Sequence, residues 1–173
     1  PFVHAFETYA KLPEATLEPS ANGTQVRAGA YDEQDLLRRS AAFLVDTQRE
    51  SGGWEDSTYD FGGTDGLPNV YVAITAICAT GLLEYAADLD KPDKAIDAAL
   101  ERALAYLADD AHLNREDTDE IFWAHAYRVR CLVRWIELRV EDTARIRPVL
   151  ERVVADLVAA QTPTGSWRHE YPN

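Results

Sequence analysis

The sequence predicts an all-α fold built from repeated helical hairpins, and three observations support this class. Glycine and proline divide the 173 residues into segments that alternate between amphipathic and almost uniformly apolar. No segment shows the two-residue alternation of a half-buried strand. The pattern Leu-Val-x-x-Gln-x-x-x-Gly-x-Trp occurs twice with the same spacing, as LVDTQRESGGW at 44–54 and LVAAQTPTGSW at 157–167. Internal repeats of this kind are typical of stacked supersecondary units that share one core.

The predicted elements follow one another as outer and inner helices. In chain order they are a short apolar segment at 1–11, a loop at 12–31, an amphipathic helix at 32–48, a Gly/Asp-rich loop at 51–69, a buried helix at 70–89, an amphipathic helix at 93–109, a buried helix at 118–138 and an amphipathic helix at 143–160. The apolar stripe of the first amphipathic helix is formed by Leu36, Leu37, Phe43 and Leu44. We therefore expect about six helices in three hairpins.

The internal repeat extends beyond the two matched stretches. A middle copy is visible because AYLAD at 105–109 matches AFLVD at 42–46, although the Gln, Gly and Trp are lost there. The chain also begins and ends at the same phase of the repeat, since PFVHA at 1–5 aligns with VYVAI at 70–74. We expect one repeat domain over residues 1–173, which is either a fragment or a unit that associates with itself.

The chemistry of the repeated stretch favours a structural role. Gly52 and Gly165 would end a helix at a place where a Cβ atom is strained. Trp54 and Trp167 would pack a large ring over the end of the hairpin. Gln48 and Gln161 can bond backbone groups at a neighbouring helix terminus. We therefore interpret residues 48–54 and 161–167 as two clasps, and call them the first clasp and the second clasp.

Charge and composition exclude several classes of partner. The net charge of −13 repels phosphate backbones and anionic membrane surfaces, so we expect no nucleic-acid partner. No stretch of 18 apolar residues occurs, so we expect no transmembrane segment. Cys78 and Cys131 lie in apolar helical runs and are expected to be buried free thiols. A cytoplasmic location is the expectation, although the residues do not fix a compartment.

A Gln-x-x-x-Gly-x-Trp stretch that follows an amphipathic helix resembles the QW motif of the squalene-hopene and oxidosqualene cyclases, within the prenyltransferase/squalene-oxidase repeat family. By repeat phase the resemblance covers essentially the whole chain, although neither copy has the basic-Gly start of the full motif. It implies an α/α toroid, with apolar inner helices around a central cavity and amphipathic outer helices outside them. Three hairpins would make half of such a toroid, so two copies could close the ring as a homodimer.

The candidate catalytic residues lie at the start of the helix at 118–138. Asp117-Thr118-Asp119-Glu120 resembles the Asp-x-Asp-Asp motif of class II terpene cyclases, with Glu in the last place. The resemblance implies that Asp119 is the acid that protonates an alkene or epoxide, with Asp117 and Glu120 as neighbours that raise its pKa. A carbocation would need aromatic faces nearby.

Aromatic residues follow the acidic motif at helical spacing. Trp123 and Tyr127 share a helical face with Asp119 and are the candidate substrate-binding residues, together with Tyr71. No cofactor is expected, and the four histidines lack the short spacing of a metal site.

Structural interpretations of the same residues remain open. Asp117 and Glu120 have the spacing of a capping box. Arg130, Arg134 and Glu137 continue the helical face of Asp119, which is typical of a salt-bridged surface. His125 lies on the apolar side of the helix, near Ile121, Leu132 and Arg128, and is expected to be a satisfied core histidine.

Two functions of different class follow from these patterns. The first is a terpene/squalene cyclase-like domain that carries out an acid-initiated cyclisation of a polyprenyl substrate. The alternative is a non-catalytic toroid repeat domain that binds a hydrophobic or polymeric ligand, or a protein partner. Whether the chain is an enzyme at all is left open at this point.

Overall fold

The structure, a computed structural model, describes residues 32–55, 67–117 and 120–167. These contain five α-helices: α1 Glu33–Thr47, α2 Leu67–Ala87, α3 Lys94–Ala108, α4 Ile121–Leu138 and α5 Thr143–Ala159. Two 3-10 turns, Asp110–His112 and Val140–Asp142, precede α4 and α5. No strand occurs in these ranges, so the predicted all-α class is confirmed. The predictions for residues 1–31 lie outside the described residues.

The chain divides into two compact units, residues 1–36 and 37–173. Of the first unit the structure describes residues 32–36, where the Asp32 carboxylate accepts a hydrogen bond from Asp35 N at 2.7 Å and caps the start of α1. The core lies in the second unit. The expected single domain over residues 1–173 stays a prediction.

The two apolar helices pack against each other, as their composition dictates. α2 buries eight residues, and three of its alanines or leucines, Ala76, Ala79 and Leu82, have no exposed surface. Alanines at this contact let α4 approach closely, and α4 contributes fully buried Leu132 and Trp135. α2 and α4 therefore form an inner pair around which the core is built.

The amphipathic helices α3 and α5 pack against this inner pair. α3 packs on α2, and α5 packs on α4, so the structure describes two helical hairpins. α3 and α5 are joined to each other by ion pairs, as between Arg145 and Glu101, whose nitrogen and oxygen atoms are 2.5 Å apart. The predicted alternation of amphipathic and apolar helices is present, and the closure of these hairpins into a toroid stays a prediction.

The predicted apolar stripe of α1 is wrong in part. Leu36, Leu37 and Phe43 are 51%, 43% and 64% exposed, whereas Ala41 is buried. α1 faces the core with the line formed by Ala41, Leu44 and Gln48 instead. A stripe drawn from hydrophobicity alone does not distinguish these two faces, because apolar residues lie on both.

The first clasp, residues 48–54, joins α1 to α3. Gln48 Nε2 donates to Gly52 O at 2.8 Å and to Ala99 O at 2.9 Å, while Gln48 Oε1 accepts from Arg102 at 2.5 Å. Trp54 is 5% exposed, and its Nε1 donates to Leu44 O at 2.9 Å. The first clasp thus links α1 to α3 through hydrogen bonds, and Gln48 reaches the middle of the neighbouring helix and not its terminus. The assignment of the stretch as a QW motif stays a prediction.

Gly52 is required by both backbone conformation and space. Its φ of 93° lies in the left-handed region, and it sits in a turn closed by a hydrogen bond from its N–H to Arg49 O at 2.9 Å. A Cβ atom at this position would press on the carbonyl of Arg102 in α3. The glycine therefore follows the helix in a turn, five residues beyond the helix end at Thr47, and lets the turn lie directly on α3.

The second clasp, residues 161–167, has the same internal geometry. Gln161 Nε2 donates to Gly165 O at 2.8 Å, and Trp167 Nε1 donates to Leu157 O at 2.8 Å. Gly165 has a φ of 82°. Trp167 is however 46% exposed, and the nearest atom to a Cβ built on Gly165 is Gln161 Nε2 at 3.9 Å. The second clasp thus forms without another helix pressed against it within the described residues.

The two glycines give a matched test of these roles. Replacing Gly165 with Ala should lower the free energy of unfolding by about 1–2 kcal/mol, the cost of a positive φ for a residue with a Cβ. Gly52→Ala should lower it by about 1–3 kcal/mol more, because the Cβ also collides with α3. Urea unfolding of both variants at one protein concentration measures the difference. Equal decreases in the free energy of unfolding of the two variants would show that α3 does not pack against Gly52.

Candidate functional site

A cavity of about 210 Å³ lies between the inner helices α2 and α4. Its walls are almost entirely apolar, and they are formed by Val70, Ala73, Ile74, Ile77, Glu120, Trp123 and Tyr127. Trp123 and Tyr127 lie one helical turn apart, with ring centroids 6.1 Å apart and planes inclined by 25°. The structure thus brings the two predicted aromatic residues together on one wall. Facing them across the cavity are aliphatic side chains of α2.

The chemistry of this cavity suits a hydrocarbon group. Its one acidic lining residue with a carboxyl group is Glu120, which lies immediately before α4 at one end of the aromatic wall. Trp123 is 50% exposed and Ile77 is 48% exposed, so the cavity opens to solvent on the side away from α3 and α5. Apolar cavities with aromatic walls and few polar groups are typical of sites for small apolar ligands.

Asp117, one of the candidate catalytic residues, is used to hold the start of α4. One carboxylate oxygen accepts from Asn69 Nδ2 at 2.6 Å, and the other accepts from Glu120 N at 3.3 Å. The bond to a backbone N–H three residues ahead is half of the capping box expected from the alternative interpretation. The side chain is buried and does not line the cavity. Asp119, the predicted proton donor, lies outside the described residues.

Asn69, next to the cavity residue Val70, is a buried polar residue that the sequence analysis did not identify. It is completely buried, its Nδ2 donates to Asn114 O at 2.9 Å, and its Oδ1 accepts from Asn114 N at 3.1 Å. With the bond to Asp117, it ties the first turn of α2 to the loop before α4. The sequence signal that could have identified Asn69 is its position directly before the long apolar run of α2.

The charged face of α4 is a salt-bridged surface, as its alternative interpretation predicts. Arg134 donates to both carboxylate oxygens of Glu84 in α2, at 2.5 and 2.8 Å, and to Glu137 at 3.0 Å. The hydrogen bond from Arg134 lowers the pKa of Glu84, with smaller contributions from the charges of Arg134 and Arg130. These groups lie outside the cavity and link the two inner helices.

Tyr71, the third candidate for substrate binding, lies elsewhere. It is half-buried in α2 and is not among the residues that line the cavity. It is close enough to Tyr106 in α3 to contribute to a raised pKa of that phenol, after burial and the effects of Glu55. Tyr71 therefore faces the outer helix and not the aromatic wall.

α4 contains a buried arginine, Arg128, that the sequence analysis did not single out as buried. Arg128 is 1% exposed, and its Nε and one terminal nitrogen donate to Leu107 O at 3.0 and 2.7 Å. It also pairs with Asp110, at 2.8 Å. The arginine satisfies a carbonyl in the last turn of α3, an acceptor that the helix itself leaves open.

His125, next to Arg128 on α4, is buried as predicted but is not fully satisfied. It is 3% exposed, and its Nδ1 has no hydrogen-bond partner. Burial is the main cause of its lowered pKa, and the Arg128 and Arg115 charges lower it further, while Asp156 and Asp110 oppose the shift. The imidazole is therefore held neutral in the folded protein at neutral pH.

Metal and thiol chemistry have little support in the described part of the chain. No group of three or more His, Cys, Asp or Glu side chains there is placed to hold a metal ion. Cys78 and Cys131 are free, as predicted, with Cys131 fully buried and Cys78 partly buried. Burial raises the pKa of each thiol to about 11, so both stay protonated at neutral pH.

α2 is the one helix in the described ranges that is long and apolar enough to cross a membrane, judged by length and composition only. Its apolarity has another explanation in the fold, because α2 packs against both α3 and α4. Core helices commonly pass the same test, so α2 is weak support for a membrane span.

Comparison of the chain with protein-family models, with curated proteins and with solved structures gave no match. The resemblance to the prenyltransferase/squalene-oxidase repeat family therefore rests on the repeated motif and its spacing. The described helices establish the all-α class, and the family assignment stays a prediction.

The buried histidine gives a test by pH. In the unfolded chain an imidazole binds a proton below a pKa of about 6.5, whereas burial lowers the pKa of His125 in the fold. The unfolded state thus binds more protons, so the free energy of unfolding should fall as the pH drops below 6.5, by at most about 1.4 kcal/mol per pH unit.

His125→Gln should remove this decline between about pH 7 and about pH 5, whereas the His112→Gln control should keep it. Thermal unfolding across this range measures both slopes, and an unchanged slope in His125→Gln would contradict the assignment.

Proposed function

We propose that the protein binds a small branched hydrocarbon group, such as the end of an isoprenoid chain, in the cavity between α2 and α4. The observation that carries this proposal is the stacked pair Trp123 and Tyr127, which faces aliphatic residues of α2 across an open apolar cavity. A hydrocarbon gains free energy there by leaving water, at about 25 cal/mol per Å² of apolar area buried.

The size of the cavity limits the ligand. An apolar protein cavity of about 150 Å³ holds one benzene molecule. The cavity here measures about 210 Å³, which leaves room for a group of one or two branched C5 units and not for a polycyclic product. A longer chain would keep its remaining length outside, along the exposed sides of Ile77 and Trp123.

A second candidate function is acid-initiated cyclisation of a polyprenyl substrate. Glu120 favours it, because this carboxyl group lies at one end of the aromatic wall. In such a reaction the acid gives its proton to one alkene carbon, the π electrons form the new C–H bond, and the cation left on the other carbon is attacked by the next double bond. Loss of a proton at the end of the chain yields an isomer of the substrate. Trp123 and Tyr127 would present aromatic faces to the cation.

Ligand binding is tested with geraniol and farnesol, and with 1-decanol as an unbranched probe. The protein should bind both isoprenoid alcohols more tightly than the linear alcohol, as measured by isothermal titration calorimetry. Trp123→Ala should weaken the binding at least about tenfold, the effect of losing about 1.4 kcal/mol. Val133→Ala serves as the control, because Val133 is also exposed on α4 but does not line the cavity. No binding of either alcohol, or equal losses in both variants, would contradict the proposal.

The cyclase candidate is separated from simple binding by its product. Incubation with squalene or farnesol, followed by gas chromatography and mass spectrometry, should give a cyclic isomer if the protein is a cyclase. Asp119→Asn and Glu120→Gln should then abolish the product while the alcohols still bind. Binding without a cyclic product in the unaltered protein would favour the non-catalytic function.

A further inference from the structure

The outer helices α3 and α5 each use one arginine to hold the chain at the end of the outer helix before it. Arg102 of α3 donates to Gln48 in the first clasp, which follows α1. Arg152 of α5 donates to Ala108 O at 2.8 Å and pairs with Asp110 at 3.0 Å, both at the end of α3. Aligning the helices by their repeated sequence places these two arginines at the same position. The contact between successive outer helices therefore repeats together with the sequence.

The same alignment identifies the corresponding surface of α1. Arg39 occupies the position of Arg102 and Arg152, and Phe43 occupies the position of Tyr106. In α3 the ring of Tyr106 lies directly against Gly53 of the first clasp, so that a Cβ on Gly53 would be 2.8 Å from the ring. Phe43 has no such cover and is 64% exposed. α1 thus carries an arginine and an aromatic residue at the two positions where α3 contacts the first clasp.

The second clasp is the complementary surface, and it is also uncovered. It has the turn, the positive φ and the indole hydrogen bond of the first clasp. Trp54 is 5% exposed, whereas Trp167 is 46% exposed. Exposed large aromatic side chains on two matching surfaces are typical of an interaction site.

We propose that the second clasp of one copy binds the face of α1 in a second copy of the chain, with Phe43 against Gly165 and Ser166. Phe43 then covers the second clasp as Tyr106 covers the first, but at a greater distance, because Ser166 carries a Cβ where the first clasp has Gly53. Arg39 lies in register to reach the Gln161 side chain. The binding partner is a second copy because the chain itself carries, on α1, the surface that the repeat alignment matches to the second clasp. This inference does not depend on the proposed ligand.

The contact joins the second clasp of one copy to α1 of another copy. Two copies can therefore form it twice, once in each direction. Contacts of this kind close into a ring when the rotation between copies permits, and otherwise form open chains. We expect the closed pair, in which both exposed clasps and both exposed Phe43 side chains are covered.

The contact is tested by crosslinking two variants that each gain one exposed cysteine. Phe43→Cys protein and Ser166→Cys protein are mixed at equal concentration under mild oxidation, and the products are separated without reductant. A disulfide-linked species of twice 19.3 kDa should form in the mixture. Val140→Cys mixed with Ser166→Cys is the control, because Val140 is 70% exposed but lies in the turn before α5. Burial raises the pKa of Cys78 and Cys131 to about 11, so the native thiols should contribute little.

Sedimentation equilibrium on the unaltered protein provides a second measurement that needs no cysteine. The expected mass is twice 19.3 kDa, and Trp167→Ala should weaken the pair at least about tenfold while circular dichroism stays unchanged. A monomer at every concentration would overturn the proposal, as would equal crosslinking in the control mixture. Either result would mean that another part of the chain, or another protein, covers the second clasp.

Discussion

The helices of this chain are held together by side chains that hydrogen-bond to the backbone of a neighbouring element. Gln48 reaches a carbonyl of α3, Arg128 reaches another at the end of α3, and Asn69 pairs with both backbone groups of Asn114. A buried amide or guanidinium is costly unless its donors are used, so these bonds fix a distance and an angle between two elements. Arg128 uses Nε and one terminal nitrogen in this way and leaves the other terminal nitrogen without a partner. The apolar contacts of α2 and α4 supply the driving force, and these polar contacts fix how the helices are placed.

The cavity is a consequence of this arrangement. α3 and α5 leave a side of the inner pair uncovered, on which Ile77 of α2 and Trp123 of α4 are about half exposed. Trp123 and Tyr127 lie on that side because they are one turn apart on α4. Asn69 holds Asp117, and Asp117 accepts a hydrogen bond from the backbone N–H of the cavity residue Glu120. The candidate site is therefore built from the face that the outer helices leave open.

Much of the fold could be predicted from the sequence because its signals are local. The bounds of α3, α4 and α5 follow from hydrophobic periodicity, and the first clasp follows from a glycine, a glutamine and a tryptophan at fixed spacing. The face of α1 was assigned wrongly, since Leu37 and Phe43 are as apolar as the residues that point inward. Arg128 and Asn69 could not be identified as buried, because their partners are carbonyls that become neighbours only after folding. The pairing of Trp123 with Tyr127 could be identified, as both lie on one helix.

Because the acceptors in these contacts are backbone carbonyls, the accepting residue can change its side chain without losing the hydrogen bond. Ala99 accepts from Gln48 through an atom that every amino acid possesses. The donor, in contrast, must keep its reach and its amide or guanidinium group. Mutations are therefore tolerated unequally on the two sides of each helix contact. An accepting helix can therefore change far in sequence while the donating residue of its neighbour stays the same.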